Sequence, residues 1–420
     1  MRNLIIRFLP FWIFIIVYKG ALLLHYSLVP IFGEKLLPVW LIGLVVGGES
    51  FIQLLLDVPA GHLVDRVGQK RILLFTTPIF LLSAALLYFK LSLTTYLLSV
   101  FVSAFSWLFF GPAVSAYILS HANKETSGKF ISLRDSSASL GVVLSGAILP
   151  LVALQSQQTI VGILLSLSLI GIAFLSISPR DKAVAHRESI QPAHHRHHIR
   201  RKFITETWAS IKELNPASGM LVLHMFAGAL FYAAIWFVVP LLIASQQHGA
   251  IMGFGLSVFD VSIVLLGYLI GMVVDRGDKR ALIFFGMILF AVTGALSGAS
   301  FGILFLLFGF LASTGDETTC LSLWSWLHSL DKEHTHDGAV SGVVSFAEDL
   351  GYTIGPIVSG ILYGIVGPTW TIVFGALPIA ASWLVYQAFV YRHHKYQNHT
   401  RQIRSVLGSS LRRRHARKMS

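Results

Sequence analysis

The chain has 420 residues, 55% hydrophobic and 12% charged, with a mean hydropathy of +0.71 and a net charge of +12. That composition excludes a water-soluble multidomain enzyme, and the single cysteine, Cys320, excludes a disulfide framework or a cysteine-based metal cluster. A bilayer-spanning helix needs about 20 apolar residues, so a dozen spans fit with short connections. Apolar runs predict membrane helices at 8–31, 38–60, 71–90, 94–119, 130–154 and 158–178, then at 217–245, 250–274, 279–299, 302–328, 339–365 and 369–391. The first run is too long for a signal-peptide core and no small-residue cleavage site follows it, so a retained helix is expected.

Lysine and arginine set the expected orientation. Counted on alternate sides of these segments, 28 of the 32 fall on one side, including Arg66, Lys70, Arg71, Arg276, Lys279, Arg280, the central loop and the tail. Only Lys35 and Lys90 fall opposite, while Lys19 and Arg134 lie within segments, so both termini are expected in the cytoplasm. Distributed in this way, the positive charge answers to membrane topology, and no nucleic-acid partner is expected.

The chain repeats itself. Gly61-His62-Leu63-Val64-Asp65-Arg66-Val67-Gly68-Gln69-Lys70-Arg71 joins the second and third segments, and Gly271-Met272-Val273-Val274-Asp275-Arg276-Gly277-Asp278-Lys279-Arg280 joins the eighth and ninth. Asp65 and Asp275 are 210 residues apart, and at the same offset Leu140-Gly141 falls on Leu350-Gly351. The implied organisation is all-α: a six-helix bundle over 1–178, a cytoplasmic loop over 179–216 with a short amphipathic helix at 203–214, a second bundle over 217–391 and a basic tail over 392–420. Such repeats are a common way to build a transporter with its site between the halves.

In these residues the chain resembles the major facilitator superfamily, whose best-known signature is G-x-x-x-D-R-x-G-x-K-R between the second and third helices. The resemblance covers essentially the whole chain, with Gln69 standing where many members carry a basic residue. It implies twelve helices in two six-helix repeats and a loop that latches the halves in the outward-open state, formed by Gly61, Asp65, Arg66, Gly68, Lys70 and Arg71 and echoed by Gly271, Asp275, Arg276, Lys279 and Arg280. Gly61 is expected to let two helices approach closely, and Asp65 to meet the positive end of a neighbouring helix. The run Gly351, Gly355, Pro356, Ser359, Gly360 looks like the glycine-proline motif that antiporters of this superfamily carry in helix five. Here it falls in helix eleven, where close packing and a proline kink are an equal reading. The arginine that drug/proton antiporters carry in helix four is missing.

Chemistry at membrane depth must come from polar groups, which are costly there and face a cavity or a partner. Glu49, Asp57, Asp135, Asp260, Asp316, Glu317, Glu348 and Asp349 lie within the segments, against Lys19 and Arg134. An interior this acidic favours cations or protons over anions. Lys19 and Glu49 fall near the centres of helices one and two and are expected to pair if those faces meet. Asp260 is expected near the centre of helix eight, as the repeat counterpart of Glu49. Neighbours on a helix diverge by about 100°, so one of Asp316 and Glu317, and one of Glu348 and Asp349, should face the pathway. Glu49, Gln53 and Asp57 make one polar stripe.

By resemblance, helices one, four, seven and ten line the cavity, which makes Lys19, Asp316 and Glu317 substrate-facing and gives Glu49 and Asp260 coupling or gating roles. Arg134, Asp135 and Asp57, nearer the cytoplasmic ends, suit helix-locking charge pairs. His25 and His224 read as proton relays or as hydrogen-bonded packing groups. Trp107, with Phe105, Phe109 and Phe110, reads as a cation-stacking wall or as packing. The tract His194-His195-Arg196-His197-His198 reads as a solvated run or a zinc or nickel collector, and Asn398-His399-Thr400 as a glycosylation acceptor on the wrong side of the membrane.

No nucleotide loop, esterase elbow or metalloprotease motif occurs, so neither enzyme chemistry nor ATP-driven transport is expected, nor any cofactor or metal centre. The sequence points to a monomeric secondary transporter working by alternating access in the cell membrane, the cytoplasmic or inner one in a bacterium. The expected activity is proton-coupled export of a small organic cation or neutral amphiphile. Sugar or carboxylate uptake, divalent-metal export and a non-transporting receptor or scaffold are the alternatives.

Overall fold

The structure, a computed structural model, describes residues 2–89, 91–121, 127–153, 155–179, 216–245, 254–330 and 337–388. The expectations for 203–214, for His194–His198, for the basic tail and for Asn398 fall outside them.

Helices fill the described chain because a backbone in hydrocarbon must satisfy its own N–H and C=O groups. In order they are α1 (Arg2–Gly33), α2 (Val39–Val67), α3 (Gln69–Phe89), α4 (Leu93–His121), α5 (Ser127–Ala153) and α6 (Gln157–Ile177). There follow α7 (Pro216–Ala244), α8 (Val258–Arg276), α9 (Lys279–Gly298), α10 (Ile303–Leu330), α11 (Asp337–Gly375) and α12 (377–388). Eleven stretches are long and apolar enough to cross a bilayer. The last, Gly342–Ala388, has 47 residues, about twice one span, and holds two crossings. They meet at Gly367, whose φ of 79° is a backbone conformation open to glycine.

Local chemistry fixes several ends. Pro38 precedes α2, the Ser156 hydroxyl accepts from the Thr159 amide to start α6, and Asp278 does the same for Arg280 at the start of α9. Gly68, at φ 101°, stops α2 and lets α3 begin at the next residue. Serine and threonine hydroxyls inside the helices bond back to carbonyls three or four residues earlier, as Thr77 does to Leu73 and Ser168 to Leu164. Large apolar side chains such as Phe75, Leu55 and Tyr268 stand exposed on the outer surface, where lipid is the solvent.

Within the first six helices α1 packs on α5 and α6, and α3 on α4 and α6; within the later ones α9 packs on α10, and α7 on α11. Between the two sets run the α2/α11, α5/α8 and α1/α7 contacts. Two ends can be distinguished: a motif end, where α2 meets α3 and α8 meets α9, and a far end, where α1 meets α2.

Candidate substrate and coupling site

The centre of the molecule is set by a backbone contact. Gly20 on α1 lies against Gly141 on α5 so closely that a Cβ on Gly141 would stand 2.5 Å from the Ile16 carbonyl oxygen. Beside this contact the Lys19 ammonium sits 4.2 Å from the centre of the Trp107 ring on α4, and Tyr26 meets the same indole edge to face at 6.3 Å. Asp260 of α8 and Glu348 of α11 are the carboxylates whose charge acts on Lys19. Ser139, on α5 next to the glycine contact, acts in turn on Asp260. The ammonium thus comes from the first six helices and its counter-charges from the later ones.

Two expectations need correction. No Lys19–Glu49 ion pair forms: Glu49, 1% exposed, is turned toward α4, where its Oε1 accepts a 2.7 Å hydrogen bond from Ser103, and its Oε2 is buried without a hydrogen-bond partner. Asp260 stands in the first turn of α8 rather than at its centre. The apolar run that predicted an earlier start continues through 254–257, which form a tight turn instead of α-helix. That displacement places the carboxylate at the positive end of the helix dipole.

In the later helices both oxygens of Asp316 have a close neighbour. His224 Nε2 lies 2.9 Å from its Oδ1, and the Tyr232 hydroxyl donates to its Oδ2 at 2.9 Å. His224, Gly228 and Tyr232 are spaced by four on α7 and share one face, with Gly228 leaving room for the carboxylate, whose Oδ1 lies 3.7 Å from the position of a Cβ there. Glu317 is in electrostatic reach of Asp135 and Asp260. Glu348 is in reach of Lys19 and Asp316, with Tyr352 one turn on, whereas Asp349 interacts directly with Asp57 of α2. The two acidic doublets therefore split, the members of each facing different neighbouring helices. His25 is a packing group: its Nε2 lies 3.2 Å from both Ser83 and Ser99, whose hydroxyls donate to each other's carbonyls at 2.9 Å. The His224–Asp316 pair escaped sequence reasoning, and the four-residue spacing of His224, Gly228 and Tyr232 was the available signal.

The glycine-proline run packs on both sides. A Cβ on Gly351 would meet Ala229 of α7 at 2.5 Å, and one on Gly355 would strike Ala233. On the other face, Gly43 of α2 would strike the Pro356 carbonyl, and Gly360 would meet the Val39 carbonyl at 2.9 Å. Across α5/α8, the Ser257 hydroxyl donates to the Val143 carbonyl at 2.7 Å, and a Cβ on Gly146 would stand 2.7 Å from the Ser257 nitrogen. These contacts lie toward the far end.

The loop motif behaves differently. Gly61 was expected to serve a close helix approach, yet nothing lies within 4 Å of its Cβ position, nor of Gly271's, because the close contacts of these seams lie toward the other end. Lys70 is buried and caps α6, donating to the Ser176 and Ser178 carbonyls at 3.0 and 2.6 Å. Arg66, Arg71, Asp275 and Arg276 are exposed, and Arg280 lies 6.0 Å from the Trp326 ring. Arg134 pairs with its neighbour Asp135 at 2.7 Å and reaches Ser115 of α4 at 2.8 Å.

The family model described as Major Facilitator Superfamily matches residues 4–252 and 220–419. The chain belongs to the major facilitator superfamily. It is accordingly an integral, multi-pass membrane transporter, and a superfamily transporter acts on a small-molecule substrate within a lipid bilayer. Among solved structures, the nucleoside transporter NupG aligns over 90% of this chain and 98% of its own, with TM-score 0.69 and 15% identity. The human organic anion transporter MFSD10 (TETRAN) aligns over 90% and 98%, with TM-score 0.62 and 14% identity. A POT family transporter in complex with a thioalcohol-conjugated peptide aligns over 90% and 96%, with TM-score 0.63 and 12% identity. At these identities the likeness is one of fold. No curated protein sequence matches the chain.

Proposed function

We propose that this superfamily transporter exports a small organic cation or neutral amphiphile in exchange for protons, with residues 1–178 and 217–391 rocking about the centre and 179–216 linking them. The observation that carries the reading is the composition of the centre: Asp260 and Glu348 act on the single ammonium of Lys19 beside the Trp107 ring, and Glu317 and Asp316 are in turn in electrostatic reach of those two carboxylates. A surplus of carboxylates attracts cations, and in a closing site it takes up protons when the cation leaves. Among the described residues no three His, Cys, Asp or Glu side chains converge as metal ligands, which favours an organic cation over a divalent metal. Glu49 and Asp260, each on a seam helix, are the proposed coupling groups.

We read the motif end as cytoplasmic by the positive-inside rule, and the far-end contacts then support an inward-open conformation. In the outward-open one, Gly61, Asp65, Arg66, Gly68, Lys70 and Arg71, with Gly271, Asp275, Arg276, Lys279 and Arg280, close as the latch. Flux of fluorescent organic cations in proteoliposomes under an imposed pH gradient tests the reading. Cation movement driven by opposing proton movement supports it, whereas movement of sugars or carboxylates alone would replace it with the uptake reading.

A further inference from the structure

Lys19 is an unusual cation to find at the centre of a cation transporter. Its ammonium is stacked on Trp107 and lies in the field of Asp260 and Glu348 without a direct ion pair to either. Stacking on an indole face and nearby carboxylates are what a site for an alkylammonium ligand is made of. The same place keeps an unused donor, since the Trp107 Nε1 is buried with no acceptor. Lys19 enters on the four-carbon stem of a side chain, so the site is filled by part of the protein itself.

We propose that Trp107, Asp260 and Glu348 form a binding site for a primary alkylammonium group, occupied in this conformation by the tethered ammonium of Lys19, which the ammonium of the substrate displaces. The geometry provides the exchange. Lys19 is fixed to α1 beside the Gly20–Gly141 contact, while Asp260 and Glu348 ride on α8 and α11, so a substrate that takes the Lys19 position relieves the first six helices of their charge link to the later ones. A hydrogen-bond acceptor next to the substrate nitrogen would meet the free indole N–H, which makes amino alcohols and amino acid amides better ligands than bare amines. The proposal rests on the cation-export reading for the identity of the displacing molecule, but the site is tested on purified protein without transport, so that either can fail alone.

The experiment is chemical rescue. In Lys19→Ala, which keeps Cβ, the vacated site should accept n-propylammonium, which has the length and charge of the missing part of the side chain, and thermal unfolding in detergent should shift upward on the order of 3 °C. The same concentration should leave the wild type unmoved, n-propanol should move neither, and the rescue should vanish in Lys19→Ala/Trp107→Leu. Should Lys19→Ala fail to fold, Lys19→Met retains the stem, and the ammonium ion then takes the place of propylammonium. Equal shifts in wild type and variant, or no shift in a cooperatively folded variant, would overturn the proposal.

Discussion

The two ends of the seams between the helix sets use the same residue for opposite purposes. At the far end Gly43, Gly47, Gly146 and Gly360 bring backbone against backbone, and any Cβ would collide. At the motif end Gly61 on α2 and Gly271 on α8, helices of the same two seams, have nothing within 4 Å. In the proposed alternation both ends pack in turn, so each glycine set would be in use in only one conformation. Small residues in such a protein therefore record contacts of a state as well as contacts of a fold.

The contrast is broken most severely at the closed end. Gly47→Leu would drive a side chain into the Thr353 carbonyl, for which the Cβ alone is already 2.5 Å away. Overpacking of about 3 kcal/mol in the closed state alone shifts the conformational population roughly 100-fold, so flux should fall by about that factor. A cysteine placed at Ser257 should then become reactive to an impermeant thiol reagent added from the far side. Unchanged flux would mean that the α2/α11 contact does not close during transport.

Next in size is Asp316→Asn, which leaves His224 and Tyr232 without their charged acceptor. The loss of the Tyr232 hydrogen bond to a charged group, and of the charge beside His224, predicts destabilisation of about 2 kcal/mol, read by thermal or denaturant unfolding, together with loss of cation binding. Glu49→Gln keeps the acceptor for Ser103 but buries an amide nitrogen where Oε2 has no partner, so a smaller destabilisation of about 1 kcal/mol is expected. Flux in that variant should no longer respond to an imposed pH gradient; a retained gradient response would remove Glu49 from coupling. The smallest effect is expected for Gly61→Ala. With open space at that position and alanine the better helix former, stability should rise by about 0.5 kcal/mol while flux slows several-fold, a split that a packing residue of the present conformation could not produce.

Much of the fold was legible because hydrocarbon leaves a chain so few options. Each expected segment falls on a helix, most of them within a few residues at both ends, and the halves could be aligned on Asp65 and Asp275. The exception, the start of α8, was hidden because apolar residues before Val258 read alike in a helix and in a buried turn. The site was legible in its members and not in its wiring. Sequence placed Lys19, Glu49, Asp260, Asp316 and Glu348 at depth. The rotation that sends Glu49 to Ser103 and Lys19 to Trp107 depends on how α1, α2 and α4 face one another, which a single chain does not encode locally. Likewise Lys70, whose place in the loop motif suggested a role between the halves, spends its ammonium on the end of α6.

The junction at Gly367 has a mechanical implication. The last two crossings meet there without any intervening loop, so the arm that touches α2 and the final crossing are coupled through a short glycine joint, as in a bell-crank. Tyr386 of α12, whose hydroxyl donates to the Arg280 carbonyl at 3.1 Å, ties that crossing to the start of α9. A tilt transmitted through the joint would reach the second copy of the loop motif along a route that bypasses the central carboxylates altogether.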